Sequence, residues 1–401
     1  MNIFFISLDD FSSIQERGTY SDVLREFIRQ GHYVCAISPT ASVDNSGNIH
    51  ESELCDIIKP LIVNSQKTGF VKKGISIAIL PIKIKRCIVS SGILCKKQFD
   101  LILYATPPVT IAPIIEYLKK KNRNAKSFLL LKDMWPQVAI DVGMLQDTGI
   151  RGILAQVLRK YEKRIYNVSD IIGCMSPANV DYVVKHHSIQ KEKVILSPNS
   201  MEPFTPIDNN SSMRQKLGIE NNKVVFLYGG NIGKMQGIPF LCECLKVADD
   251  YDNLRIIVCG NGTEYGKLNA YIKEHEIKNT ILINGLPRED FESLTSECDY
   301  GLVFLDYRAT TPNFPSRILP YMNNSKPIIA CTDRVTDIGS IIEENHFGWW
   351  VPSNDTIRFR SVIERAISNQ EYNDMCERSY QFLLNHYTAE KTVEIITKAI
   401  S

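Results

Sequence analysis

Residues 224–237, VVFLYGGNIGKMQG, are the stretch from which the fold is inferred. The apolar run at 224–228 predicts a strand, the glycine-rich turn after it carries Lys234, and Pro239 begins a predicted helix. Where a strand leads through such a turn into a helix, backbone N–H groups and the ammonium group lie together. The stretch therefore predicts a site for a phosphate group.

Residues 313–321, NFPSRILPY, repeat this arrangement further along the chain. Residues 300–305 predict a strand, and a proline-rich loop leads to Ser316, the expected N-cap of a helix. Arg317 would then lie one residue inside that helix. Two helix N-termini, each with a cation, would form a clamp for one diphosphate, which favours an enzyme that acts on a sugar nucleotide.

The composition is that of a globular protein with more than one domain. The chain has 401 residues, of which 44% are hydrophobic and 23% charged, and this length favours two domains of about 200 residues. The formal net charge of +1 argues against a general nucleic-acid-binding protein. No run of about 18 apolar residues exists, and the N-terminal MNIFFISLDDF is predicted to be a first strand rather than a signal peptide.

Strands alternate with helices along the chain, which predicts an α/β protein with doubly wound, parallel sheets. Residues 198–212 have the composition of a linker and separate a domain at 1–200 from a second domain at 201–384. The chain after residue 354 is predicted to be helical. We expect its last part, about 385–401, to return to the first domain.

Two features of the first half fall at the carboxyl ends of predicted strands, where open α/β sheets bind ligands. Gly18 closes the loop after the first strand, and Asp133 follows the strand at 127–131. Alternatives remain for both residues. Gly18 would otherwise only turn the chain, and Asp133 would be an N-cap or a loop carboxylate.

Residues 57–99 form a basic segment without a single acidic residue. Its nine cations are Lys59, Lys67, Lys72, Lys73, Lys83, Lys85, Arg86, Lys96 and Lys97, mixed with Ile, Val, Leu and Phe. Such a mixture would place an apolar face on a bilayer and cations against anionic headgroups. The alternative is a set of solvated surface turns.

Several kinds of site are excluded because the sequence lacks the motifs that they require. The turn with Lys234 is followed by Met rather than a magnesium-binding Ser or Thr, and CGNGTEYG at 259–266 spaces its glycines differently from a dinucleotide fingerprint. The eleven cysteines include no C-x-x-C pair and are predicted to be buried in a reducing cytoplasm. His186 and His187 are adjacent, so on a helix they point about 100° apart and make poor joint ligands. We expect neither a metal nor a cofactor.

At this point the sequence resembles a known family. The segments GGNIGKMQGI, CGNGTE, NGLPRED and FPSRILPYMNNSKPIIA resemble the nucleotide-binding half of the GT-B fold glycosyltransferases of family four. The segments LKDMWPQVAIDVGML, CMSPANV and ILSPNS resemble the branch that builds bacterial capsule, O-antigen or exopolysaccharide. The resemblance implies two Rossmann-like domains that face each other across a cleft.

The resemblance also implies a reaction. This is a metal-independent transfer of a hexosyl or N-acetylhexosaminyl group, with retention, from a nucleoside diphosphate donor such as a UDP-sugar. The acceptor would be a lipid-diphosphate-linked saccharide at the cytoplasmic face of the membrane, so a peripheral protein is expected.

Roles are carried over from the family by position. Lys234, Arg317 and Asp133 would be catalytic, with Asp133 facing the donor sugar. Gly18 and Thr19 would border the acceptor. The remaining donor-binding residues would be Gly230, Asn231, Gly233, Gly262, Leu286, Pro287, Arg288, Ser316 and Ile318.

The chain departs from the family at three positions. Pro312 and Pro320 stand where two glutamates are usual, the second of which binds the ribose, and Lys132 stands where a histidine often precedes the residue matching Asp133. Two other interpretations are therefore kept. One is a sugar-nucleotide epimerase of the same fold, and the other is an inactive relative that senses the donor or serves as a scaffold.

Overall fold

The computed structural model describes residues 1–62, 70–146, 148–205 and 212–401. The chain forms two compact units. The first comprises Met1–Ile140, Leu145–Glu202 and Thr388–Ser401, and the second comprises Asp141–Met144 and Pro203–Tyr387. Lys67 of the basic segment and residues 206–211 of the linker lie outside the described residues.

The sheet of the first unit has eight strands. They are β1 (Asn2–Ile6), β2 (Tyr33–Ile37), β3 (Gly47–Ser52), β4 (Cys55–Lys59), β5 (Leu101–Thr106), β6 (Lys126–Leu131), β7 (Ile171–Cys174) and β8 (Val194–Leu196). Their order is β3-β4-β2-β1-β5-β6-β7-β8, and every pair is parallel except β3 with β4. Nearly continuous apolar runs such as LILYAT in β5 form the central strands because both faces of a parallel sheet are buried.

The described residues of the first half of the chain form seven α-helices. They are α1 (Ser21–Arg29), α2 (Phe70–Ser91), α3 (Ile93–Lys96), α4 (Ala112–Lys121), α5 (Gln137–Asp141), α6 (Gly149–Val168) and α7 (Pro177–His187). The start of α7 shows how the sequence defines a helix end. The Ser176 hydroxyl accepts a hydrogen bond from the backbone N–H of Asn179, and Pro177 occupies the first turn.

The described residues of the second unit form six parallel strands and eight α-helices. The strands are β9 (Val224–Gly229), β10 (Leu254–Cys259), β11 (Thr280–Ile283), β12 (Tyr300–Phe304), β13 (Ile328–Thr332) and β14 (Gly348–Pro352). The helices are α8 (Met213–Lys216), α9 (Ile238–Ala248), α10 (Tyr265–Glu274), α11 (Arg288–Glu297), α12 (Ile318–Asn323), α13 (Ile338–Glu344), α14 (Thr356–Ile367) and α15 (Tyr372–His386). The order β11-β10-β9-β12-β13-β14 is the Rossmann order 3-2-1-4-5-6. The predicted fold class, two doubly wound Rossmann-like units, is therefore confirmed.

Three elements differ from the sequence-based expectation. The hairpin β3–β4 was not predicted because β3, GNIHES, is a polar edge strand that gives no apolar signal. Strand β14, GWWVP, was also not predicted. Helix α2 occupies most of the basic segment, so the interpretation as surface turns is wrong for that part.

One cation of the basic segment cannot face a membrane. Lys59 is fully buried at the end of β4, where its ammonium group forms an ion pair of 2.6 Å with Asp10 and donates to the Ser12 hydroxyl at 2.9 Å and to the Phe11 carbonyl at 2.8 Å. A buried ammonium group is stable only when it is paired and hydrogen-bonded. Lys59 therefore fixes the loop after β1, which corrects its assignment to a membrane-facing set.

The last helix, α16 (Ala389–Ile400), belongs to the first unit, as the fold-class prediction required. Its apolar stripe contributes Ala389, Val393 and Ile396 to the core that also contains Leu24 and Phe27 of α1. Burial of this stripe, rather than the helix propensity of the segment, holds the C-terminal helix in place.

We expect Ile396→Ala to lower the free energy of unfolding by about 2–4 kcal/mol, because it leaves a cavity under α16. Ile396 is 0% exposed. Ile357→Ala in α14 is the matched control, since Ile357 is 82% exposed and its truncation should change stability by less than about 0.5 kcal/mol. Urea unfolding measures both variants, and equal losses would show that α16 does not dock as described.

Candidate functional site

The sheet of the second unit has one point at which the strand order reverses, between β9 and β12. Open α/β sheets bind their ligands outside the carboxyl ends of the strands at such a point. The loop after β9 contains residues 230–237 and the loop after β12 contains residues 305–317. The structure thus brings the two stretches that predicted a diphosphate clamp to the same edge of one sheet.

The loop after β9 is bound along its length to the loop after β10. The Gly230 N–H donates to the Cys259 carbonyl at 2.9 Å, the Ile232 N–H to the Asn261 carbonyl at 2.7 Å, and the Glu264 N–H to the Ile232 carbonyl at 3.0 Å. Parallel pairing therefore continues beyond the strands. The N–H groups of residues 230 and 232 are used in this scaffold and are not available to a phosphate.

Glycines permit this close approach. A Cβ atom on Gly260 would lie 1.7 Å from the Gly230 carbonyl oxygen, and one on Gly262 would lie 2.3 Å from the Ile232 carbonyl oxygen. Gly262 also has a φ of +152°, which L side chains rarely adopt. The structure thus places Gly262, predicted to bind the donor, against the backbone of the β9 loop.

Two amide side chains shape the turn that carries Lys234. The Gln236 Oε1 atom accepts hydrogen bonds from the Gly233 N–H at 3.2 Å and from Asn231 Nδ2 at 3.1 Å. Residues Lys234–Gln236 form a single 3-10 turn before α9, so Lys234 does not lie in the helix itself. Its side chain is exposed, and no described residue pairs with its ammonium group.

Arg317 lies directly at the end of β9. Its Nη1 atom donates to the Gly229 carbonyl at 3.1 Å, its guanidinium carbon is 4.8 Å from the centre of the Tyr228 ring, and the group borders Gly230. Burial raises the pKa of Tyr228, so the phenol remains a neutral platform for the cation. The guanidinium group uses one N–H for the Gly229 carbonyl, so its other N–H groups can donate to an anion.

The prediction that Ser316 caps α12 is wrong. The helix begins at Ile318, and Arg317 occupies the N-cap position with helical dihedral angles and no side-chain cap. Ser316 is exposed in the preceding turn, where its carbonyl accepts the Leu319 N–H at 3.0 Å, while the Ile318 N–H donates to the Pro315 carbonyl at 3.4 Å. The first N–H groups of α12 are therefore bound by backbone carbonyls of the proline-rich loop rather than by the Ser316 side chain.

Leu286, Pro287 and Arg288 follow β11 at the same edge of the sheet. Pro287 is the N-cap residue of α11, and Arg288 begins the helix, 3.8 Å from Glu292. A Cβ atom on Gly229 would lie 2.4 Å from the Phe291 ring, so α11 packs against the end of β9. The three residues are therefore close to the glycine loops.

Sequence reasoning missed Asp306, Arg308 and Tyr321. Arg308 forms a two-point ion pair with buried Asp306, at 2.8 Å and 2.7 Å, and the carboxylate raises the pKa of the guanidinium group. The Tyr321 hydroxyl accepts the Gly229 N–H at 2.9 Å and so anchors α12 beneath Arg317. The available signal for Asp306 and Arg308 was their position directly after the buried strand β12.

In the first unit, Gly18 and Thr19 immediately precede α1. The Gly18 N–H donates to the Asp22 carboxylate at 3.1 Å, and Asp22 pairs with Arg25 at 2.6 Å, both side chains being buried. Asp22 also accepts the Glu202 N–H at 2.9 Å, and Arg25 pairs with the Glu202 carboxylate at 2.7 Å. The loop that carries Gly18 is thus fixed by a network of buried charges.

Asp133 follows β6 at the carboxyl edge of the first sheet. Burial raises the pKa of Asp133 to about 7, although the neighbouring Lys132 ammonium group opposes this, and burial lowers the pKa of Lys132 to about 8. Burial raises the pKa of Tyr20, which directly follows Thr19, and the charges of Asp9 and Asp133 raise it further. The structure therefore brings Asp133 and the Gly18 loop into one electrostatic neighbourhood, and a carboxyl group with a pKa near neutrality suits proton transfer.

The described residues lack two kinds of feature. They contain no group of three or more His, Cys, Asp or Glu side chains arranged to hold a metal ion. None of their helices is both long and apolar enough to cross a membrane.

Comparison with known proteins supports the same class of fold. The chain superposes on the Anabaena protein HepE, solved in complex with UDP and glucose, with a TM-score of 0.68 and 12% identity over 100% of this chain and 99% of that one. The protein thus has the GT-B fold. Residues 209–381, most of the second unit, match the family model described as Glycosyl transferases group 1.

Two curated relatives are similar over much of the chain. The probable glycosyltransferase WbjE of Pseudomonas aeruginosa is 22% identical over 274 residues, which are 67% of this chain and 66% of WbjE. The putative colanic acid biosynthesis glycosyl transferase WcaI of Escherichia coli K12 is 22% identical over 251 residues, which are 61% of this chain and 60% of WcaI. The chain therefore spans slightly less than two thirds of the length of these relatives.

Gly260→Ala tests the contact between the glycine loops. The added Cβ would meet the Gly230 carbonyl oxygen, so the two loops must separate, and we expect a loss of about 2–3 kcal/mol or more in the free energy of unfolding. Gly266→Ala is the control, because its added Cβ meets no atom within 4 Å and α10 should gain about 0.5–1 kcal/mol. Thermal unfolding measures both, and two equally stable variants would contradict the described loop packing.

Proposed function

We propose that this protein is a retaining glycosyltransferase that moves a hexosyl or N-acetylhexosaminyl group from a UDP-sugar to a lipid-linked saccharide. The observation that carries the proposal is the arrangement at the edge of the second sheet. Arg317 lies at the end of β9 and Lys234 in the turn that follows. Gly230 lies between the end of β9 and that turn in the chain, and because it has no side chain the Arg317 guanidinium group borders its backbone. Two cations at one switch point suit a nucleoside diphosphate.

The proposed mechanism depends on stabilisation of the leaving group, the nucleoside diphosphate. As the bond between the sugar and the diphosphate breaks, negative charge develops on the departing phosphate oxygen, and preorganised cations act most strongly where charge develops. Lys234 and Arg317 offset that charge. The same phosphate oxygen takes the proton from the acceptor hydroxyl on the front face of the sugar, so configuration is retained. Asp133 faces the donor sugar.

The remaining donor contacts are proposed at the loops described above. Gly230, Asn231 and Gly233 line the diphosphate with Gly262 behind them, Ser316 and Ile318 flank Arg317, and Leu286, Pro287 and Arg288 border the base. Proline at 312 and 320 offers the ribose no carboxylate, so its hydroxyl groups are bound by other residues of this edge. Gly18 and Thr19 border the acceptor.

The biological role is proposed from the relatives. WcaI is named for colanic acid biosynthesis, and HepE was solved with UDP and glucose. We propose by analogy that this protein builds a bacterial surface polysaccharide on a lipid-diphosphate carrier, at the inner face of the cytoplasmic membrane.

Helix α2 supplies a surface suited to such a membrane. Its inner side buries Leu80, Ile84 and Ile88. Its outer side presents Ile79, Ile82 and Val89, which are 42%, 53% and 57% exposed, on one stripe with Arg86. Exposed apolar side chains flanked by cations bind anionic bilayers. This supports the proposal of peripheral membrane association.

Lys234→Ala tests the leaving-group proposal. Because the Lys234 ammonium group is exposed and unpaired among the described residues, its removal should leave the fold intact while turnover falls by roughly 100-fold or more. Lys246→Ala, an exposed lysine of α9, is the control and should retain full turnover. The assay follows labelled sugar from a UDP-sugar into lipid extract.

Near-normal turnover of Lys234→Ala would count against the proposed mechanism. The same incubation separates the other interpretations. An isomerised sugar nucleotide with no labelled lipid would identify an epimerase, and neither product would identify an inactive relative.

Ile82→Glu with Val89→Glu tests the membrane proposal. Each carboxylate replaces an apolar contact and meets anionic headgroups, so binding to vesicles with about 30% phosphatidylglycerol should weaken by about tenfold or more. Ile357→Glu is the control, since Ile357 is also an exposed apolar side chain but lies in α14 of the second unit. Cosedimentation measures binding, and equal losses in the control or no loss in the double variant would exclude α2 as the contact.

A further inference from the structure

The groove between α6 and α7 in the first unit contains a cavity of about 760 Å³. It is built from the outer side of α6, the last turn of α7 and the loop that follows, and Gln137 of α5 lines one end. None of the residues that we assign to the donor or the acceptor lines it. A cavity of this volume accommodates one or two sugar rings.

The walls combine flat rings with planar polar groups. The Tyr182 and His186 rings are stacked with centres 4.2 Å apart and planes 21° apart, and both line the cavity. Gln137, Asn167 and Gln190 supply amide groups. Sugar rings present apolar C–H faces that stack on aromatic rings and hydroxyl groups that pair with amides.

Cations dominate the charge of the cavity. Arg159 and Lys163 are exposed on α6, and Lys193 caps the end of α6 by donating to the Tyr166 carbonyl at 2.7 Å. Arg159 donates to Gln137 Oε1 at 3.0 Å, which holds its guanidinium group at the cavity wall. Among the described residues that line the cavity, Arg159, Lys163 and Lys193 thus outnumber the acidic residues.

Glu162 is the one acidic residue among the described residues that line the cavity, and it does not cancel this charge. Glu162 is only 6% exposed, receives a hydrogen bond from the Tyr166 hydroxyl at 3.2 Å and lies 3.8 Å from His187 Nε2. Burial raises the pKa of Glu162 to about 7, so much of it is protonated at neutral pH. Burial and the neighbouring His186 lower the pKa of His187 to about 4, so that ring is neutral and adds no charge.

We propose that this cavity binds an acidic sugar, a hexose ring that bears a carboxylate or a phosphate, at a site separate from the donor site. The stacked rings take the face of the sugar, the amides take its hydroxyl groups, and Arg159 and Lys163 take the anion. Such a sugar has two sources, an acidic residue within a glycan or a free sugar phosphate. The proposal goes beyond the transfer reaction and does not depend on it.

Calorimetric titration of the full chain tests the proposal, with saturating UDP present to occupy the proposed donor site. The probes are glucuronic acid, a disaccharide of glucuronic acid and glucose, glucose 6-phosphate, glucose and inorganic phosphate. We expect the acidic sugars to bind at least about tenfold more tightly than glucose and than inorganic phosphate. Tighter binding of the disaccharide identifies the glycan as the source, and tighter binding of glucose 6-phosphate identifies the free metabolite.

The double variant Arg159→Gln with Lys163→Gln locates the site. Loss of two partly solvated cations should weaken the binding of acidic sugars by about tenfold and leave that of glucose unchanged. Lys160→Gln is the matched control, because Lys160 lies on the same helix, is equally exposed and does not line the cavity.

The pH dependence supplies a second readout. Glu162 faces Arg159, Lys163 and Tyr166 on its own helix, His186 and His187 on α7, and Lys193 from the loop after α7. As the pH rises through about 7, ionised Glu162 repels an anionic ligand, so affinity should fall between pH 6 and 8. The ligand for this readout is glucuronic acid, whose carboxylate is ionised throughout the range, and Glu162→Gln should bind it with an affinity that does not change between pH 6 and 8.

Three results would overturn the proposal. Glucose that binds as tightly as glucuronic acid would remove the role of the cations, and inorganic phosphate that binds as tightly as the acidic sugars would remove the role of the rings. Equal affinities in the wild type and the Arg159→Gln, Lys163→Gln variant would place the binding elsewhere. Loss of sugar transfer in these variants is not required, so a failure here is distinct from a failure of the proposed transferase activity.

Discussion

The candidate site of the second unit depends on one contact, the approach of the Gly260 backbone to the carbonyl oxygen of Gly230. Any side chain at residue 260 would collide with that oxygen at 1.7 Å, so the two loops lie against each other only because the residue is glycine. The contact has a chemical consequence. It consumes the N–H groups of residues 230 and 232, so in the proposed function a diphosphate would be bound by the cationic side chains of Lys234 and Arg317 rather than by these two backbone amides.

The two units hold their proposed binding loops by different physical means. In the second unit the glycines allow backbone contact, and the Tyr321 hydroxyl bonds the end of β9. In the first unit the loop with Gly18 is fixed by buried charges, because Asp22 joins Gly18 to Arg25 and to Glu202, the last residue of that unit before the chain enters the second. Buried charges are stable only when they are fully paired, so substitution of any one of these residues would leave a buried charge without its partner.

Much of the fold could be predicted because apolar runs of strand length are nearly unambiguous when helices separate them. The run at 224–229 and that at 300–304 became neighbouring strands, and the Rossmann order then placed Lys234 and Arg317 at one edge. The misses have local causes. Strand β3 is polar and gives no apolar signal, and helix α2 contains a proline, Pro81, which usually argues against a helix. Ser316 does not cap α12 because the proline-rich loop satisfies its own backbone groups. The ion pair of Asp306 with Arg308 depends on side-chain geometry, which residue order does not specify.

The charge balance of the edge favours a dianion. Arg308 is neutralised by Asp306, whereas neither Lys234 nor Arg317 forms an ion pair with a carboxylate of the described residues. Proline at 312 and 320 removes the two glutamates that the resembling family would add beside them. Two unopposed positive charges at one sheet edge repel each other, and an anion that contacts both would stabilise them. In the proposed function, the absence of these glutamates would remove a ligand of the ribose and would also remove negative charge that opposes the diphosphate, the part of the donor on which the proposed chemistry acts.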